Sequence, residues 1–260
     1  MGNRYKLFSV FILLLISHAG FSQGITWRNW LSANASYSLT RDWSLSAGHL
    51  RSYEISNNYK NSFNQISIRT SYDITKRVGI SGGVQWMTIP SSASGTRTRI
   101  FLKGDHTTRI AKKLNWNNSL QVETNSAAET RFRQRIILGT RLSPRKRLDF
   151  LNLSPSVSYR LFYNIGGDTI SYYDQDGKLL ARQTPDGFHR HRIQLNANSK
   201  ISDLFRVNLY FMMQREFNLL TGETRRMNVP NLTKTRTVRP FDNYNVIGLS
   251  LNLDIDELVK

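Results

Sequence analysis

The chain has 260 residues, 36 Lys+Arg against 18 Asp+Glu, and a formal net charge of +18. It has no cysteine, which excludes disulfides, thiolate metal sites and a lipid-modified cysteine at a processed N-terminus. A mean hydropathy of −0.43 reads as soluble, and the excess of base would suit nucleic acid or an anionic membrane surface.

The first element narrows that choice. "MGNRYKLFSVFILLLISHAGFSQ" sets Arg4 and Lys6 before an apolar run from Leu7 to Ile16, followed by the small residues Ala19, Gly20 and Ser22. This is the layout of a secretory signal peptide, expected to cover 1–22 and to be cleaved after Ser22. Residues 23–260 are then one exported domain. Export argues against nucleic acid as a partner, so the basic charge must serve something else.

From Thr26 onward a period of two replaces any helical period. Eleven alternating segments follow in order: 25–39, 43–56, 62–74, 78–89, 97–110, 114–125, 129–142, 149–163, 187–198, 205–218 and 243–255. In the third, Ile66, Ile68, Thr70, Tyr72 and Ile74 alternate with Ser67, Arg69, Ser71 and Asp73. In the last, Ile247, Leu249, Leu251, Leu253 and Ile255 alternate with Gly248, Ser250, Asn252 and Asp254. Soluble strands average about 5–6 residues, whereas a tilted membrane strand needs about 9–11. Short connections ("TRDW", "TKR", "AKK", "SPRKRL", "SKISDL") alternate with longer polar ones, including 164–186 with its "DQDG" tip and 219–242. The pattern predicts an all-β, antiparallel transmembrane β-barrel with short periplasmic turns and longer outer loops. Because single-chain bacterial barrels carry an even strand number, the expectation is 10 to 12 strands, with 12 favoured over the eleven counted.

The aromatic residues agree. Tyr37, Trp43, Tyr72 and Trp116, near the short turns, share the parity of the apolar face, as do Tyr53, Trp86, Phe132, Tyr163 and Phe217 near the long loops. Two girdles result. Trp30, Phe101 and Tyr210 have the opposite parity and belong in the lumen. His106 and Asn118 fall on the lipid face, and His49 and Arg51 do too unless a bulge shifts the register there.

Parity also places the charge. "AETRFRQRII" puts Arg131, Arg133 and Arg135 opposite to Phe132 and Ile136. A basic side chain at the bilayer midplane costs about 2–4 kcal/mol, so the three are expected to point inward. Arg69, Arg99, Lys103, Arg141, Arg160, Arg190, Arg192 and Arg206 share that parity, with the acids Glu54, Asp73, Asp105, Glu123, Glu129 and Glu216. Gln121 and Glu123 should face the arginine strand across a hairpin. The lumen is then either a structural network of arginine forks and carboxylates or a basic interior that binds or passes small anions. A second patch, Arg225, Arg226, Lys234, Arg236 and Arg239 in the loop 221–240, would meet lipopolysaccharide phosphates or simply be solvated.

Chemistry is harder to find. An outer-membrane lipid-modifying enzyme would need a histidine beside a serine, or an acid–histidine pair. Of His49, His106, His189 and His191, none stands in such a signature. "FHRHR" puts His189 and His191 on one side of a strand, without a third ligand for a metal. No catalytic residue, metal or cofactor is therefore expected.

Three stretches, "ASYSLTRDWSLSAGHLRS", "LNWNNSLQVETN…AETRFRQRIILGTRLS" and "FMMQREFNLLTGETRRMN…FDNYNVIGLSLNLDI", resemble the exported bacterial proteins of the domain-of-unknown-function 2490 family. The shared texture is a W-x-L strand start and a Q-x-E strand ahead of R-F-R-x-R, and the resemblance spans roughly residues 25–255. It implies an outer-membrane β-barrel without an established biochemical activity and supplies no site residues. The expected function is a non-enzymatic, porin-like barrel of the Gram-negative outer membrane with an arginine-rich lumen. Its partners would be outer-membrane lipids and lipopolysaccharide, small anions, and the export and barrel-assembly machinery. The alternatives are a lipid-modifying enzyme and a secreted polyanion-binding β-protein.

Overall fold

The computed structural model describes residues 25–90, 95–110, 113–174, 176–184, 186–219, 229–230, 237–238 and 240–256. The expected signal peptide and the basic loop residues Arg225, Arg226, Lys234, Arg236 and Arg239 lie outside them.

Alternating residues with β-branched and aromatic side chains form long strands: β1 (Thr26–Ser38), β2 (Trp43–Glu54), β3 (Lys60–Asp73), β4 (Val78–Thr88), β5 (Thr96–Ile110), β6 (Leu114–Asn125), β7 (Gln134–Pro144) and β8 (Leu153–Ile165). A small hairpin of β9 (Ile170–Tyr173) and β10 (Leu179–Gln183) follows, with Asp174 O accepting from Gly177 N–H between the strands. Then come β11 (Gly187–Lys200), β12 (Phe205–Leu219), the two-residue strands β13 (Val229–Pro230) and β14 (Thr237–Val238), and β15 (Tyr244–Asp254). The hairpins β9–β10 and β13–β14 stand apart from the main sheet.

Eleven strands close into one barrel, in the order β1-β15-β12-β11-β8-β7-β6-β5-β4-β3-β2. The count is therefore eleven, not the favoured twelve. With each strand reversing the one before it, an odd number leaves the first and last pointing the same way. Closure is accordingly parallel: β1 pairs with β15 from Thr26↔Tyr244 to Ser36↔Asp254 without a break. Every other neighbour in the ring is antiparallel.

The faces are inverted relative to a soluble protein. Ile66, Ile68, Ile100, Leu102, Leu120, Val122, Leu138 and Leu209 stand exposed on the outside. Such a continuous apolar belt marks a membrane-facing surface. At the short-turn end, Tyr37, Trp43, Tyr72 and Trp116 are exposed on the same face. Two of them have their indole N–H satisfied by a threonine on the neighbouring strand: Trp43 donates to Thr70 Oγ1 (2.5 Å) and Trp116 to Thr140 Oγ1 (2.6 Å). That lets an amphipathic ring sit at an interface without an orphaned donor.

The short turns are closed by hydroxyl side chains. Thr40 Oγ1 accepts from the N–H groups of Asp42 and Trp43, Thr75 Oγ1 from those of Arg77 and Val78, and Ser202 Oγ from that of Phe205.

Inside, bulky groups fit because their neighbours are glycine. A Cβ on Gly248 would lie 2.0 Å from Tyr210 Cζ, and one on Gly83 3.0 Å from the Phe101 ring. Tyr210 thereby joins Met212, Tyr244 and Val246, backed by Trp30, in an apolar lining of the β12–β15–β1 wall. Trp30, Phe101 and Tyr210 thus occupy the interior, as parity predicted.

Candidate functional site

The interior is a cavity of about 1030 Å³, and serine, asparagine and arginine supply half of its lining residues. Its charges fall into two sets.

The first set sits at the long-loop end and, apart from Arg192, is paired with carboxylates. Glu123, near the end of β6, lies directly opposite Arg135 at the start of β7. Its carboxylate is ion-paired to Arg135 and to Arg99 (3.3 Å), and accepts from Gln121 Nε2 (3.0 Å). Arg135 is 3% exposed and Glu123 2%, so this pair is buried rather than solvated. The Arg135 guanidinium also lies over the rings of Phe132 (4.7 Å) and Phe162 (5.0 Å). Glu216 on β12 does the same work nearby. It pairs with Arg190 of β11 and Arg131 (3.1 Å), and accepts the Asp242 N–H (2.8 Å). Asp242 in turn pairs with Arg28 (3.0 Å), and Glu129 with Arg97 (3.1 Å). Arg192 donates to Gln214 Oε1 (2.7 Å) and Tyr244 Oη (3.1 Å). The network crosses the long-loop end of the lumen from β1 to β12, with each carboxylate holding one or two guanidiniums.

The second set lies deeper, toward the middle of the strands. Arg69 on β3, Arg141 on β7 and Arg160 on β8 line the same cavity and are exposed to it. Among the described residues none of the three has an ion pair or hydrogen bond; Arg69 has a ring contact, 5.5 Å from the centroid of Phe101. Lys103, on β5, is paired to Asp105 at 3.4 Å.

Several expected placements need correction. The seventh strand begins at Gln134, so Arg131 and Arg133 belong to the loop before it. Arg131 reaches the lumen from that loop through Glu216. Arg133 does not: it pairs with Asp168 at 3.1 Å in the solvent-exposed loops, with side chains 44% and 45% exposed. Phe132, read as part of the outer girdle, is 2% exposed and packs inward under Arg135. The cause is that the backbone leaves the sheet at Asn125 while the letters go on alternating. Of the remaining expected residues, Gln121, Glu123, Arg99, Lys103, Arg135, Arg160, Arg190 and Arg192 all line the lumen.

His49 and Arg51 do face outward, because the register shift comes after them, between Ser52 and Tyr53. Arg51 is close enough to the end of β2 for its guanidinium to reach a headgroup. His106 is exposed on the outside near the short-turn end. His189 and His191 do not share a face. A bulge between Phe188 and Arg190 turns His189 inward, fully buried, with its ring nitrogens on Phe217 O (3.2 Å) and Asp186 O (2.9 Å). His191 packs outside against Tyr159 and Phe217. Sequence reading had missed Arg28, Arg97 and Asp242. The first has the parity of Trp30 and could have been found; Asp242 is a loop residue with no periodic signal.

A model of the family described as "Protein of unknown function (DUF2490)" matches residues 27–224. No curated protein matches. Among solved structures, a crystal structure of a double-substitution variant of OccD1 (OprD) aligns with 9% identity and a TM-score of 0.31. The alignment covers 72% of this chain and 50% of that one, so the chain spans half the length of that protein.

Proposed function

The chain belongs to the DUF2490 family, and from its inverted barrel and basic interior we propose that it is a non-enzymatic outer-membrane protein whose narrow lumen admits small anions. One observation carries the reading: Arg69, Arg141 and Arg160 are exposed to the cavity with no carboxylate partner among the described residues. Glu123 and Glu216 are already committed to other arginines, and Asp105 to Lys103. A purely structural network has no use for three uncompensated guanidiniums, since like charges in a confined space destabilise the fold. An excess of fixed positive charge raises the local anion concentration in such a cavity. On this reading residues 1–22 direct export and are removed, and 23–260 form the single barrel domain delivered to the assembly machinery. The loop arginines Arg225, Arg226 and Arg236 meet lipopolysaccharide phosphates.

Planar bilayers holding the purified barrel across a salt gradient test this directly. A reversal potential of anion-selective sign, reduced in Arg69→Gln, is the expected result. A cation-selective sign or a silent bilayer would refute the proposal.

A further inference from the structure

We propose that Arg69, Arg141 and Arg160 form a binding site for one small, multiply charged phosphate, with orthophosphate and diphosphate as its simplest ligands. The inference rests on the reading of the lumen as anion-admitting, and names what the lumen holds.

The strand register brings two of the three together. Arg160 lies opposite Gly139 of β7, and Arg141 is two residues further along that strand, on the same face. They are therefore diagonal neighbours, within reach of long side chains. Gly139 cannot be replaced by a larger residue without moving Ser119, because an added Cβ would fall 2.5 Å from Ser119 Oγ. Arg69 comes from β3, four strands from β7 and five from β8 round the ring, on the facing wall. It nevertheless lines the same cavity as Arg141, Arg160 and Lys103.

Three guanidiniums without a carboxylate thus line one lumen, two on neighbouring strands and the third on the far side of the ring. Each is a planar fork built for paired oxygens. A carboxylate offers only two oxygens, both in one plane. A phosphate presents three or four oxygens tetrahedrally and can meet forks from different directions, with enough charge to offset several cations. Lys103 is held by Asp105, and Arg192 by Gln214 and Tyr244, so those two frame the site without competing for the ligand.

Isothermal titration of the refolded mature chain in detergent micelles, at constant ionic strength, tests the site with diphosphate, orthophosphate and malonate. Diphosphate is expected to bind one to one, more tightly than orthophosphate, with malonate failing to compete. Removing one fork should weaken diphosphate binding by about tenfold or more, the loss expected for a charge-assisted hydrogen bond. Arg160→Gln and Arg69→Gln probe opposite walls, so one can carry the test if the other does not fold. Arg141→Lys keeps the charge and removes the fork, and should also bind more weakly. Arg51→Gln, on the outer face, should bind like the parent. Diphosphate should raise the Tm of the parent and leave that of Arg160→Gln unmoved. Equal binding of malonate and diphosphate, no binding at all, or the same loss in Arg51→Gln would each overturn the site. Conduction in bilayers without diphosphate binding rejects this site and leaves the anion-admitting lumen standing. Binding without conduction does the reverse.

Discussion

Glu123 and Glu216 each hold two arginines, and both are almost wholly withdrawn from solvent. Removing one partner from a buried pair leaves an uncompensated charge, at a cost of about 3–5 kcal/mol. Glu123→Gln should therefore lower barrel stability by that amount, read from urea unfolding in lipid vesicles. The double variant Glu123→Gln with Arg135→Met should recover part of the loss, since the stranded guanidinium is gone. A change below about 1 kcal/mol would put the pair with solvent-screened bridges. Arg133 and Asp168 supply that comparison: both are exposed, and Arg133→Ala should cost no more than about 1 kcal/mol. Phe132 separates inside from outside at a single position. Buried under Arg135, it should cost about 3–5 kcal/mol on truncation to alanine. A lipid-facing girdle residue could lose its ring for far less.

At the level of the strand, alternation was a good guide wherever the chain stayed in the sheet. Ten of the eleven predicted segments fall within about four residues of a barrel strand at both ends, and Arg99, Lys103, Glu123, Arg160, Arg190 and Arg192 lie on the expected face. Failure came where hydrogen bonding and lettering part company. Thr130 to Arg133 continue the alternation, yet lie outside the strand: Thr130 O accepts from the loop residue Asp168, and Arg133 N–H reaches only the last residue of β8, Ile165. The bulge at His189 is equally silent, because nothing in "FHRHR" marks an extra residue. Nor can parity tell a paired arginine from a free one. Glu123 was found opposite Arg135, but the isolation of Arg69, Arg141 and Arg160 depends on which strands meet across the ring. The parallel seam is also invisible to local pattern and is directly testable. The chain has no cysteine of its own. Ala33→Cys with Leu251→Cys should form a disulfide on mild oxidation, because those residues are register partners. Failure to form while the barrel is folded would contradict eleven-strand closure.

For the whole molecule, the decisive property is which solvent touches the outside. Leu102 is 64% exposed near the middle of β5. Leu102→Arg should cost about 2–4 kcal/mol in a bilayer, measured as a drop in the urea midpoint of the vesicle-inserted barrel. In a water-soluble β-protein the same change at an exposed position would be nearly neutral. The odd strand number has a kinetic consequence. Most neighbours in the ring are joined by a hairpin, so their pairing is local and fast. The β1–β15 seam joins residues more than two hundred positions apart, and β12 lies between β11 and β15 in the wall. Closure therefore waits until the end of the chain arrives, and it carries the largest loop-closure entropy in the fold. Until then β1 presents an open row of backbone donors and acceptors to any passing strand. Assembly of this barrel is then a matter of guarding one edge for the whole time the other ten strands are being laid down.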